Sequence, residues 1–144
     1  MSKDITSKNA DSSNGLYPLL APVRVLNLYA GIGGNRKHWE NVEVTAIEYN
    51  QEIADVYKQL HPNDNVIVAD AHDYLAKHWR GFDFIWSSPP CQSHSKVRMM
   101  ASKGGSYDAI MPNMNLWAEI IFLQNFTNNT DIKFVVENVK PYYE

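Results

Sequence analysis

The chain has 144 residues, 44% of them hydrophobic, which is enough for one domain with its own core and too few for two ordinary ones. A formal net charge of -3 argues against a surface that embraces nucleic acid everywhere, so any such contact must be local. The single cysteine, Cys91, excludes an intramolecular disulfide and a structural zinc site built on several thiolates, and no metal site is expected.

Met1 to Gly15 carries almost no apolar side chains and cannot offset its ordering entropy by burial. Residues 1–21 are therefore read as a disordered tail or an added segment, and 22–144 as the domain. The polar start lacks the apolar core of a secretory signal, and no run approaches the roughly 20 apolar residues of a membrane span. A cytoplasmic protein without membrane contact is expected.

From Pro22 onward, short apolar runs alternate with helix-like segments, the pattern of an α/β fold with a parallel sheet covered by helices. A first strand, Val23 to Tyr29, runs into Ala30-Gly31-Ile32-Gly33-Gly34-Asn35 and a short helical stretch to Trp39. A second, Val42 to Ile47, ends at Glu48. Gln51 to Leu60 has apolar residues at Ile53, Val56, Tyr57 and Leu60, the spacing of one buried helical face, stopped by His61-Pro62-Asn63. A third strand, Val66 to Ala69, ends at Asp70, and a helix follows from about His72 to His78. The fourth strand, Phe82 to Ser87, delivers the chain to Pro89-Pro90-Cys91. After a long loop, a helix covers roughly Asn115 to Asn125, and a fifth strand, Ile132 to Val136, ends at Glu137-Asn138-Val139.

Every polar candidate thus falls at the carboxyl end of a strand, the edge where open doubly wound sheets bind ligands. Gly31, Gly33 and Gly34 allow a tight turn and close backbone approach. Glu48 stands where a carboxylate accepts hydrogen bonds from ribose hydroxyls, and Asp70 repeats that placement one strand later. Each acid alone is as well read as a helix N-cap. Together they outline a nucleoside pocket, for a nicotinamide dinucleotide or for S-adenosylmethionine, and Arg36, Lys37, His38 and Trp39 just after the loop do not exclude a phosphate.

Cys91, after two prolines that fix the backbone, would be held rigidly at the pocket edge as a nucleophile, although a lone cysteine is ordinarily a small buried hydrophobe. Glu137 could act as an acid there if burial raised its pKa, and Phe134-Val135-Val136 before it implies a buried strand. Asn138 could orient the neighbouring backbone or the glutamate. Between Cys91 and Tyr107 the chain has Lys96, Arg98 and Lys103 and no acid, a locally basic loop on an acidic background.

The loop Tyr29-Ala30-Gly31-Ile32-Gly33-Gly34, with Pro90-Cys91-Gln92 and Glu137-Asn138-Val139 in that order, resembles the signatures of DNA cytosine-C5 methyltransferases of the phage and bacterial kind, including those of restriction-modification systems. The resemblance implies a Rossmann-like sheet, truncated after about five parallel strands, that uses S-adenosyl-L-methionine. By it, Tyr29 packs on the cofactor with Gly31, Gly33, Gly34 and Pro90, Glu48 binds the ribose, and Asp70 binds the adenine amino group. Cys91 would attack C6 of cytosine in DNA, and Glu137 would protonate or hydrogen-bond N3. Gln92, Ser93, Lys96, Arg98 and Lys103 would contact the nucleic acid around a flipped base. An aromatic residue usually follows the Pro-Pro pair in adenine amino-methyltransferases, so Cys91 argues against them.

The match runs from about Val23 to Tyr143, the first half of the family's usual length. It lacks the Gln-x-Arg-x-Arg segment, the target-recognition region and the C-terminal element that closes the cofactor pocket. A fragment, a reduced form, one half of a split enzyme and an inactive remnant all fit. The expectation is an incomplete or partner-dependent methyltransferase, completed by a second chain or by a homo-oligomer. A non-catalytic S-adenosylmethionine or nucleic-acid binding module is the rival.

Overall fold

The computed structural model describes residues 21–90 and 114–138. Five strands, β1 (Val23–Leu28), β2 (Val42–Glu48), β3 (Asn65–Val68), β4 (Phe84–Ser87) and β5 (Lys133–Val136), form one sheet in the order β3-β2-β1-β4-β5. All pairings are parallel: Val23 pairs with Val42, Val25 with Phe84, Thr45 with Asn65, and Phe84 with Lys133. The chain begins in the middle and builds outward in both directions, so the order reverses between β1 and β4. A crevice opens at the carboxyl ends of strands at such a reversal.

Local signals set the helices. α1 (Gln51–Leu60) begins where the Asn50 side chain accepts from the amides of Glu52 at 2.8 Å and Ile53 at 3.2 Å, and it ends at His61, just before Pro62. α2 (Ala71–His78) begins at Asp70, which accepts from the Asp73 amide at 2.9 Å, and runs into a 3-10 turn, Trp79–Gly81. The third helix, α3, spans Asn115–Thr127. Among the described residues, no helix is long and apolar enough to cross a membrane.

The sheet is covered on both faces, and its central strands are accordingly apolar on both sides. β1 shows this with period two. Leu26 and Leu28 face α2 and α3, in a core with Ile47, Leu75, Ile85 and Leu123. Val25 points the other way, toward α1, in a core with Val44, Ala46 and Tyr57.

Three expectations need correction. The stretch after the glycine loop is a four-residue 3-10 turn, Asn35–His38. On α1, only Tyr57 of the expected apolar face is fully buried, with Ala54 beside it, whereas Val56 is 40% and Leu60 57% exposed. α1 lies over β2 and the edge strand β3, so its flank beyond that edge has no sheet beneath it. β5, which Phe134-Val135-Val136 suggested was buried, is an outermost strand: it pairs with β4, α3 packs against it, and Val135 remains exposed.

Candidate functional site

The carboxyl ends of the strands open onto a cavity of about 770 Å³. Pockets that enclose a small ligand span roughly 300–1,000 Å³. Tyr29, Glu48, Asp70, His72, Pro90 and Leu116 all contribute to its wall, so four of the predicted cofactor residues meet in one place.

The loop after β1 is shaped by left-handed backbone at Tyr29 (φ 54°), Gly31 (φ 55°) and Gly33 (φ 82°). Glycine tolerates that region, and tyrosine enters it only when its surroundings hold it there. A Cβ on Gly33 would stand 2.6 Å from the His61 ring and 2.8 Å from the Tyr57 ring, so the bareness of Gly33 answers to packing against the end of α1. A Cβ on Gly31 or Gly34 would meet nothing within 4 Å, and the room beside them suits the close approach expected from sequence.

Glu48 binds two loops together. Its Oε2 accepts from the Gly31 amide at 2.9 Å, and its Oε1 accepts from the Asn50 amide at 2.9 Å. A carboxylate offers about four lone-pair sites, so acceptor capacity remains for ligand hydroxyls. Asp70 caps α2 through Oδ1, as the N-cap reading expects, and the residue also lines the cavity.

The donor set discriminates between ligands. Two carboxylates on neighbouring strand ends, with an aromatic ring nearby, suit an adenosine carrying ribose hydroxyls and an exocyclic amine. They do not suit a pyrophosphate, which would need the N-terminus of a full helix or a free cation. Arg36, which the sequence left open as a phosphate ligand, is committed elsewhere. It pairs with the Asp64 carboxylate at 2.8 and 3.1 Å and donates to the Trp39 carbonyl at 2.8 Å. Tyr57 also donates to Asp64 at 2.9 Å, and burial with that bond holds its phenol pKa above the ordinary range. This cluster braces the glycine loop from behind.

Sequence reasoning missed Glu119. It sits on α3 with 1% exposure, and its carboxylate accepts the Tyr29 hydroxyl at 2.7 Å and also the hydroxyl of buried Ser87. Burial, and then the Glu119 charge, push the Tyr29 phenol pKa well above its usual value. His72 Nδ1 lies 3.9 Å from the same carboxylate, is buried, and has no hydrogen-bond partner among the described residues. A signal existed: Glu119 is the single charged residue from Asn115 to Thr127.

On the catalytic side, the chain after β4 passes through Ser88, Pro89 and Pro90 along the cavity wall. Cys91, Gln92, Ser93, Lys96, Arg98 and Lys103 lie outside the described residues. The end of β5 is joined to this segment by two bonds. The Glu137 amide donates to the Ser87 carbonyl at 2.8 Å, and the Asn138 side-chain amide donates to the Pro89 carbonyl at 3.1 Å. The Glu137 side chain itself is exposed, not buried, because it follows an edge strand.

Residues 23–142 match the family model described as C-5 cytosine-specific DNA methylase. A tRNA (cytosine(38)-C(5))-methyltransferase from Spodoptera frugiperda is 29% identical over 127 residues, covering 83% of this chain and 36% of that protein. Among solved structures, a triple mutant of Spodoptera frugiperda DNMT2 superposes with a TM-score of 0.52 at 25% identity, over 82% of this chain and 36% of the other. Monomeric WbdD shares the fold alone, with a TM-score of 0.50 at 15% identity over 81% of this chain and 26% of its own. The chain therefore spans about a third of the length of its Spodoptera frugiperda relatives. The cavity, with a Rossmann-like parallel sheet beneath it and carboxylates on two strand ends, suits S-adenosyl-L-methionine, the methyl donor implied by that family match. Since the matched stretch takes in the glycine loop, both strand-end acids, the Pro-Pro-Cys segment and Glu137-Asn138, the chain belongs to the C-5 cytosine-specific DNA methylase family.

Proposed function

We propose that the chain carries the cofactor-binding and nucleophile-bearing part of an enzyme that methylates C5 of cytosine in DNA through a covalent adduct. Cytosine C5 is too electron-poor to take a methyl group unaided. The Cys91 thiolate bonds to C6 as the C5–C6 double bond opens, and Glu137 donates a hydrogen bond or proton to N3, so electron density gathers at C5. S-adenosyl-L-methionine supplies an electrophilic methyl group on a sulfonium. Loss of the C5 proton and departure of the thiolate restore the ring. The base must leave the duplex to be reached, and the basic residues Lys96, Arg98 and Lys103 supply phosphate contacts for that state.

The observation that carries this reading is the joint between the two signature segments. Glu137 and Asn138 are bonded to the carbonyls of Ser87 and Pro89, in the segment that leads directly to Cys91. This joint supports the reading that the acid after β5 and the nucleophile after β4 act together. Glu137 is exposed, so its carboxyl group is open to a base that stacks beside it.

RNA is the second reading, favoured by the relative named for tRNA cytosine 38. One experiment separates the readings. DNA and tRNA, each carrying 5-fluorocytosine, are incubated with S-adenosyl-L-methionine and the chain, alone and with extract that supplies a completing partner. Denaturing gels should show a covalent DNA adduct that Cys91→Ser abolishes. An adduct on RNA alone overturns DNA as substrate, trapping that survives Cys91→Ser overturns the nucleophile, and cofactor binding without any trapping favours a non-catalytic module.

A further inference from the structure

Glu119 is a buried acid that none of the steps above uses. Its carboxylate gathers two hydroxyls from separate strand ends: Tyr29 just after β1, and Ser87 at the close of β4. It stands one turn along α3 from Leu116, which lines the cavity, and 3.9 Å from His72 of α2, which lines it too. Four segments of the wall therefore converge on one side chain. Glu119 and Ser87 are sealed from solvent, at 1% and 0% exposure, and Ser87 is not itself part of the wall. Whatever Glu119 does for a ligand, it does through its neighbours.

Tyr29 is the neighbour that matters most. It is a non-glycine residue in left-handed backbone, a conformation that persists only when the surroundings over-determine it. The backbone on its carboxyl side is held by the bonds of the loop, Ala30 amide to Ile47 carbonyl at 3.0 Å and Gly31 amide to Glu48 at 2.9 Å. The ring is fixed at its far end by the 2.7 Å bond to Glu119. A phenylalanine could fill the same space and would lack that anchor. Ser87, the other donor, is followed at once by Ser88, Pro89 and Pro90 of the wall, so the same carboxylate sets the glycine loop against the segment that leads to Cys91.

We infer that Glu119 is a positioning residue for the methyl donor: it holds the Tyr29 ring in place against S-adenosyl-L-methionine and fixes the glycine loop relative to the Pro89-Pro90 segment. This rests on the methyl-donor reading of the cavity.

The test is a double-mutant cycle on cofactor affinity, measured by titration calorimetry of the full chain with S-adenosyl-L-methionine, with thermal midpoints recorded alongside. Glu119→Gln keeps the shape and removes the charge that both hydroxyls bond. Hydrogen bonds to charged groups are among the stronger ones, so this variant and Tyr29→Phe should each weaken binding on the order of tenfold. Because both break the same link, Glu119→Gln should change affinity less than about twofold in the Tyr29→Phe background. A merely structural role would lower the midpoint and leave this non-additivity out of the binding constants. Should Glu119→Gln fail to fold, Glu119→Asp, whose shorter side chain withdraws the carboxylate from the Tyr29 hydroxyl, takes its place in the cycle with the same expectation. Multiplicative effects, or single variants that bind like wild type, overturn the inference while leaving the cofactor assignment intact. A wild-type chain that binds no S-adenosyl-L-methionine overturns both.

Discussion

Replacing Gly33 with alanine separates a glycine kept for packing from one kept for a ligand. At φ 82° an alanine bears left-handed strain of about 1–2 kcal/mol. Its methyl group would also stand 2.6 Å from the His61 ring and 2.8 Å from the Tyr57 ring. The Tyr57 ring cannot swing aside, because it is fully buried and its hydroxyl is held by Asp64 at 2.9 Å. The His61 ring is held to the loop it would have to leave, its Nε2 lying 3.1 Å from the Gly33 carbonyl. Overpacking of this kind adds about 1–3 kcal/mol, for a total of roughly 2–5 kcal/mol. That is a large part of the ~5–15 kcal/mol that holds a domain folded. Gly31→Ala is the matched control, since φ is 55° there and the new methyl meets nothing within 4 Å, so it bears the strain without the clash. Urea unfolding of both variants should rank Gly33→Ala as clearly the more damaging. Equal destabilisation by the two would refute the packing argument, because strain alone would then account for both.

Asp70 has two duties that different substitutions separate. Asp70→Ser keeps a capping oxygen and should leave stability nearly unchanged while weakening S-adenosyl-L-methionine binding, whereas Asp70→Ala should also lose about 1 kcal/mol in thermal unfolding through the missing cap; equal affinity in wild type and Asp70→Ser would remove Asp70 from the cofactor site. Asp83 receives Arg24 at its side chain and backbone, which lowers its pKa to about 2. A carboxylate depressed on folding contributes stability that is present above the unfolded value near 3.9 and is lost as pH falls toward 2. Unfolding midpoints should therefore fall through that acid window less steeply in Asp83→Asn, and an identical slope in both proteins would show that the pair does not couple to folding.

The architecture was legible because its signals are local. Asn50 and the His61-Pro62 stop bracket α1 within the sequence itself, and the strands announced themselves as short apolar runs, three of them ending in the acids Glu48, Asp70 and Glu137. The apolar stripe of α1 misled, since helical spacing identifies a face without saying how far the sheet beneath extends. Ile53, Val56 and Leu60 lie toward or past the edge at β3, and the small Ala54 takes the inward place. The burial expected of β5 failed for a related reason: an apolar strand reads the same at a centre and at an edge until its neighbours are known.

What joins the candidates to one another was not legible, because those bonds are long-range. Tyr29 and Glu119 are 90 residues apart, Pro89 and Asn138 are 49 apart, and Ser87 and Glu119 are 32 apart. The first crosses the order reversal between β1 and β4 and the other two join β4 to the helix and strand that follow it, so only the topology brings the partners together. The same holds for Arg36. Directly after a glycine loop it reads as a phosphate ligand, and its capture by Asp64, 28 residues on, turns that cation into a brace. With Arg36 spent and the helix after the loop reduced to a single 3-10 turn, Lys37 and His38 are the basic residues of that turn that stay exposed. The salt bridge behind the loop thus removes one phosphate candidate, and the glycines in front of it would look alike beside a dinucleotide or an adenosine bearing a sulfonium.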